Sequence, residues 1–125
     1  MEIRPLALII EDNEDQNLVF TTAMQQAGFD TESILDGRTA QTRLQVVTPQ
    51  LIILDLHIPE VNGEDLLRQI RANPHMTDVR ILLATADAAL ATDLQSLADL
   101  VLLKPISFTQ LKQLGTRFRH IFDAG

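Results

Sequence analysis

Residues 51–55 read Leu51-Ile52-Ile53-Leu54-Asp55, four consecutive aliphatic side chains closed by a carboxylate. A strand with one face in water alternates apolar and polar residues. A run that is apolar on both faces needs cover on both, which a parallel sheet packed between helices provides. Outward from this stretch, three more such runs occur at residues 6–10, 81–84 and 100–103, with a weaker one at 29–35. The intervening segments predict helices over 14–27, 38–47, 64–72, 88–97 and 108–122. Short apolar runs alternating with amphipathic segments are the mark of an α/β fold, here five β/α units with right-handed crossovers. The helix ends carry their own chemistry. Asn13, Asn62 and Ser107 each stand at a predicted N-cap, followed three residues later by Gln16, Asp65 and Gln110. Gly28 suits the end of the first helix and Pro49 bars continuation of the second. In the last helix Phe108, Leu111, Leu114, Phe118 and Ile121 form an apolar stripe predicted to face the sheet.

The composition sets the outer limits. At 125 residues and 46% hydrophobic, the chain reads as one domain, residues 1–125, able to bury a core without disulfides. It has no cysteine, which excludes a disulfide scaffold, a thiolate metal site and a cysteine nucleophile. Ten basic against 17 acidic residues leave a net charge of −7, which disfavours direct contact with nucleic acid or an anionic membrane surface. No apolar run approaches the ~20 residues of a membrane span, and the first ten residues, with Glu2 and Arg4, do not form a signal peptide. The expected location is the cytoplasm.

In an open α/β sheet, ligands bind outside the carboxyl ends of the strands. The residues there are Glu11 and Asp12 after the first strand, Asp55 after the third, Thr85 at the end of the fourth and Lys104-Pro105 after the fifth. Singly, each has an ordinary use. The acids Glu11, Asp12, Glu14 and Asp15 suit a solvated helix N-terminus, Thr85 a helix cap and Lys104 a solvated charge. Asp55 is harder to explain that way, because an acid at the mouth of a buried strand needs a partner. Adjacent strands lie about 4.8 Å apart, so Asp12 and Asp55 can reach one ion. A hard divalent cation with oxygen ligands, Mg²⁺ above all, would hold such acids ionised and take a phosphate as a further ligand. Lys104 then offers a positive charge and Thr85 a hydroxyl to that phosphate, with Asp55 as a covalent acceptor.

Four segments together resemble the receiver domains of two-component response regulators: Leu8-Ile9-Ile10-Glu11-Asp12-Asn13, the stretch from Leu54-Asp55-Leu56-His57 to Asn62-Gly63, Ala84-Thr85-Ala86, and Leu103-Lys104-Pro105. The resemblance covers essentially the whole chain. It implies a flavodoxin-like, doubly wound (βα)5 domain with strand order 2-1-3-4-5. It further implies Asp55 as phosphoacceptor, Glu11 and Asp12 as the metal-binding pair, and His57 as a metal ligand through its backbone carbonyl. Thr85 becomes the switch hydroxyl and Lys104 the phosphoryl-contacting lysine, with Lys104-Pro105 as a cis peptide. The implied cofactor is Mg²⁺. The implied partner is a sensor histidine kinase or histidine phosphotransfer protein, with a dimer or effector contact through helix 4, strand 5 and helix 5.

Two positions stand out against the family pattern, Val101 and His57. Three residues before the lysine, where the family commonly carries Tyr or Phe, this chain has Val101, which puts the aromatic part of the switch in question. The imidazole of His57 has two readings, orienting water or a phosphodonor, or facing solvent; His75 and His120 read as surface residues. Leu90, Leu94 and Leu97 read first as a core-facing stripe. A haloacid-dehalogenase-like phosphohydrolase would need a second Asp where His57 stands, and a flavin carrier would need a hydroxyl- and glycine-rich loop where the acids stand. A receiver-like module that binds without being phosphorylated is the remaining alternative. The function expected is therefore phosphorylation-dependent signalling, in which the chain promotes only its own phosphoryl transfer and dephosphorylation. With three residues after Phe122, the expectation is a stand-alone receiver or a piece of a longer regulator.

Overall fold

The chain alternates strand and helix five times: β1 (Leu6–Ile10), α1 (Glu14–Gln26), β2 (Asp30–Ile34), α2 (Gly37–Leu44), β3 (Leu51–Leu54), α3 (Gly63–Ala72), β4 (Arg80–Thr85), α4 (Ala88–Leu94), β5 (Leu100–Leu103) and α5 (Phe108–Ala124). This computed structural model describes residues 3–124. The strands form one parallel sheet in the order β2-β1-β3-β4-β5, in register Ile10↔Ile34, Ile10↔Leu54, Leu54↔Leu83 and Thr85↔Leu103 at their carboxyl ends.

Strand side chains alternate faces, so a continuous apolar run fills two cores at once. Leu8, Ile10, Ile52, Leu54, Ile81 and Leu83 face α2, α3 and α4, meeting Ala40, Leu66, Leu67, Ile70 and Leu94. Ala7, Ile9, Leu51, Ile53, Leu82 and Ala84 face α1 and α5, meeting Phe20, Met24 and Leu111. The central β3 is buried throughout, whereas β2 at the sheet edge has exposed Asp30 and Ser33, which accounts for its weaker apolar signal. Among the described residues no helix is long and apolar enough to cross a membrane.

Each cap read from the sequence is present. Asn13 Oδ1 accepts from Gln16 N (2.9 Å), Asn62 Oδ1 from Asp65 N (2.9 Å) and Ser107 Oγ from Gln110 N (3.0 Å). Gly28, at φ 107°, follows the end of α1.

Five predictions need correction. α2 stops at Leu44 rather than 47, the chain turning out through Gln45 and Val46 before Pro49. α4 is α-helical only to Leu94, and Gln95–Leu97 continues as a 3-10 turn. β2 is shorter than 29–35 and β4 longer than 81–84, the latter because Arg80 and Thr85 also pair in the sheet. In α5 the inward stripe ends on Phe122, not Ile121, which is 48% exposed. The stripe runs through Gly115, where a Cβ would lie 2.6 Å from Met24 Cε; α5 thus closes on α1 there, and positions 111, 115, 118 and 122 keep one helical face. Leu90, Leu94 and Leu97 do face the core.

Candidate functional site

The last ladder bonds of the sheet deliver the acids. Glu11 N donates to Ile34 O (3.0 Å) and Asp55 N to Ile10 O (2.9 Å), so both residues leave strand ends that the sheet still holds. Carboxylate oxygens of Glu11, Asp12 and Asp55 all lie within 4.8 Å of one another. Their surroundings differ: Glu11 is 1% and Asp55 6% exposed, while Asp12 opens to solvent. The acidic run after β1 therefore divides, with Glu14 and Asp15 solvated in the first turn of α1 and Glu11 drawn inward.

Lys104 enters from β5. Its backbone N donates to Thr85 O (2.8 Å), fixing it beside the end of β4. Its Nζ donates to Asp55 Oδ2 at 3.0 Å and to Glu11 Oε1, and its side chain is only 16% exposed. The Lys104-Pro105 peptide is cis. Burial alone would pull the ammonium down, yet its hydrogen bonds to Glu11 and Asp55 prevail and hold it above the ordinary lysine value. Burial pushes the Glu11 carboxyl up to about 7, against the pull of Lys104 and with the added repulsion of Asp55. Two carboxyl groups share one ammonium in a dehydrated pocket, so Glu11, facing Asp55 with little water, holds its proton more tightly.

The two loops flanking Asp55 are also tied. His57 N donates to Asp55 Oδ1 (3.0 Å), and the exposed His57 ring places Nε2 3.5 Å from Asp87 Oδ2. Thr85, fully buried, is no cap of α4. That role belongs to Asp87, whose Oδ1 accepts from Leu90 N (3.0 Å) and whose own N–H donates to Thr85 Oγ1 (3.1 Å). The Thr85 hydroxyl is an acceptor in that bond, so its proton remains available to a ligand oxygen. His75 and His120 lie on the surface, as read from the sequence.

Three residues that position the site escaped the sequence reading. Asp87 is one. Gly63 is another: it opens α3 with its N–H on Leu56 O (2.9 Å), and a Cβ there would sit 2.5 Å from Asp55 O. The third is Asn17, 2% exposed, whose Nδ2 donates to the carbonyls of Ile9, Glu11 and Ile34. Its signal was present, since Asn17 shares the spacing of buried Phe20 and Met24 and so is a polar residue on an apolar helix face.

Comparison with known proteins agrees with this geometry. The sequence model of the response regulator receiver domain matches residues 7–115. The DNA-binding response regulator MtrA of Mycolicibacterium paratuberculosis is 32% identical over 117 residues, covering 94% of this chain and 51% of MtrA; the chain thus spans about half the length of such relatives. Among solved structures, the signal receiver domain of a putative Luxo repressor protein from Vibrio parahaemolyticus superimposes with a TM-score of 0.82 at 30% identity, covering 98% of this chain and 97% of that one. The receiver domain of a signal transduction histidine kinase from Syntrophus aciditrophicus gives 0.84 at 26% identity, covering 97% and 94%. The sheet order, the acids at its carboxyl edge and the sequence match over most of the chain lead to one conclusion: this chain belongs to the response regulator receiver domain family.

Proposed function

We propose that this domain accepts a phosphoryl group on Asp55 from a phosphohistidine of a sensor kinase or phosphotransfer protein and later releases it to water. The observation that carries this reading is the Asp55 carboxylate itself, 6% exposed at the mouth of the central strand and held by Lys104 Nζ at 3.0 Å. An Asp55 oxygen attacks phosphorus, the new O–P bond forms as the N–P bond breaks, and imidazole leaves. Little covalent work falls to the protein beyond positioning and charge neutralisation. Lys104 meets a phosphoryl oxygen with its ammonium, Thr85 meets another with its free hydroxyl proton, and His57 N–H keeps the carboxylate aligned.

The three clustered carboxylates suit a hard divalent cation in number and in donor type. Glu11, Asp12 and Asp55 would hold Mg²⁺, with His57 contributing through its backbone carbonyl, and the ion would neutralise charge on the transferring phosphoryl group. Glu11, the most buried of the three, would act through water, with Asp12 and Asp55 as direct ligands. The domain acts on itself rather than turning over a substrate. A cysteine-free acidic chain of this kind works in the cytoplasm, and its charge of −7 directs it to protein partners rather than nucleic acid or membrane. Its output surface is the face of α4, β5 and α5, where a dimer or effector contact would form.

Incubation with acetyl phosphate or phosphoramidate and Mg²⁺, followed by intact-mass analysis, tests this. Wild type should gain one phosphoryl group and Asp55→Asn none. Labelling that persists in the variant, or that maps to Ser or Thr, would overturn the assignment.

A further inference from the structure

The β1–β2 ladder ends where Glu11 N meets Ile34 O, and beyond that point the chains diverge, β1 toward α1 and β2 toward α2. The Glu11 carbonyl therefore has no strand partner, although it belongs to the peptide that joins the two acids after β1. A buried carbonyl must find a donor or bear the cost of desolvation. Asn17 supplies it: Nδ2 lies 3.0 Å from Glu11 O, 3.1 Å from Ile9 O and 3.2 Å from Ile34 O. Every neighbour of that nitrogen is a carbonyl, which fixes the amide orientation. Its Oδ1 accepts from Thr21 Oγ1 (3.0 Å), which in turn lies 2.9 Å from Ser33 Oγ on β2. The three carbonyls hold the side chain with its donors at the hinge of the acid pair.

We infer that Asn17 is a positioning residue for the metal site: it fixes the Glu11–Asp12 peptide, and so the placement of the Asp12 carboxylate relative to Asp55, closely enough to favour Mg²⁺ over larger cations. The inference rests on the reading of Glu11, Asp12 and Asp55 as a cation site. Mg²⁺ demands near-octahedral ligands at about 2.0–2.1 Å, whereas Ca²⁺ accepts looser geometry at about 2.3–2.6 Å. Loss of the outer hydrogen bond that orients a ligand typically costs about 10–100-fold in affinity. A slackened Glu11–Asp12 peptide therefore weakens Mg²⁺ more than Ca²⁺.

Amide NMR titration of wild type, Asn17→Leu, Asn17→Ser and Thr21→Val with Mg²⁺ and separately with Ca²⁺ tests this, with urea melts as a record of folding. The Asn17 variants should lose about tenfold or more in Mg²⁺ affinity and less than about threefold in Ca²⁺ affinity. Thr21→Val, which removes a hydrogen bond from the same network but leaves the Asn17 donors in place, should lower stability without moving the Mg²⁺ dissociation constant. Should Asn17→Leu fail to fold, the smaller and polar Asn17→Ser carries the comparison. An unchanged Mg²⁺ constant in a folded Asn17 variant, equal weakening of both ions, or equal weakening by Thr21→Val would each overturn the inference while leaving the cation site standing. Failure of wild type itself to bind Mg²⁺ would overturn the cation site and this inference with it.

Discussion

Lys104 is the residue on which two demands meet. It is the counter-ion of Glu11 and Asp55, and in the proposed reaction it must turn to a phosphoryl oxygen. The two roles separate on mutation. Lys104→Ala removes a positive charge from beside the acids, so Mg²⁺ affinity should stay level or rise, while phosphorylation by acetyl phosphate should slow at least about tenfold, a loss of ~1.4 kcal/mol of transition-state stabilisation. Titration and intact-mass time courses read both. A variant phosphorylated at the wild-type rate would make Lys104 a structural counter-ion only. The sequence placed Lys104 at a strand mouth but not on Glu11, 93 residues away, and nothing in local spacing tells that Glu11 is buried while Glu14 and Asp15 are solvated. Asp87 was equally hidden, because an Asp two residues after a strand looks like any helix cap until Thr85 and His57 are seen against it.

Elements show how much of the site depends on close approach. α3 begins against the loop that follows Asp55, and Gly63 permits this because its missing Cβ would lie 2.4 Å from Leu56 Cα and 2.5 Å from Asp55 O. Gly63→Ala must push the loop away, at a cost of about 1–3 kcal/mol or more. Its urea midpoint should fall, and phosphorylation should fall with it, since Asp55 moves when the loop does. At the opposite end of the sheet Asp99 ties β4 and β5 to α3, accepting from Ile81 N (2.7 Å), Arg71 Nη2 (2.9 Å) and Arg80 Nη1 (3.2 Å). Burial would raise its carboxyl, but these donors prevail and hold it below the ordinary range. A folded-state pKa below the unfolded one adds stability that is present above the unfolded value, near 3.9, and is lost as pH falls through the folded one. Asp99→Asn should thus lose about 1–2 kcal/mol at neutral pH and show a flatter acid limb than wild type in melts below pH 4. An acid limb as steep as wild type's would count against Asp99 as its source. The Asp99 network was illegible in sequence because its members come from three separate elements, whereas the caps at Asn13, Asn62 and Ser107 were legible because donor and acceptor lie three residues apart.

Across the whole molecule, the proposed function requires phosphorylation at one end of the sheet to be transmitted to the α4, β5 and α5 face. On that proposal Thr85 would begin the path: its hydroxyl accepts from Asp87 N, and Asp87 caps α4, so drawing Thr85 toward a phosphoryl oxygen would remove a bond that anchors the helix N-terminus. Val101, partly buried against the core, has no ring to move, so the change should lie in the backbone from Ala86 to Val101. Amide exchange with and without beryllofluoride should show altered protection there. Changes confined to the Asp55 pocket would mean that output leaves by another face. What the sequence alone determined were the features written in local spacing: the α/β class, the strand cores, most helix ends and the residues at the strand mouths. Each follows from backbone periodicity or a short-range hydrogen bond. Only the tertiary structure decided that Glu11 is buried and shares Lys104 with Asp55, that Asn17 holds the acid pair from behind, and that α5 turns Phe122 rather than Ile121 inward. Those outcomes depend on which elements the parallel sheet brings side by side, since burial and charge pairing arise from neighbours in space rather than along the chain.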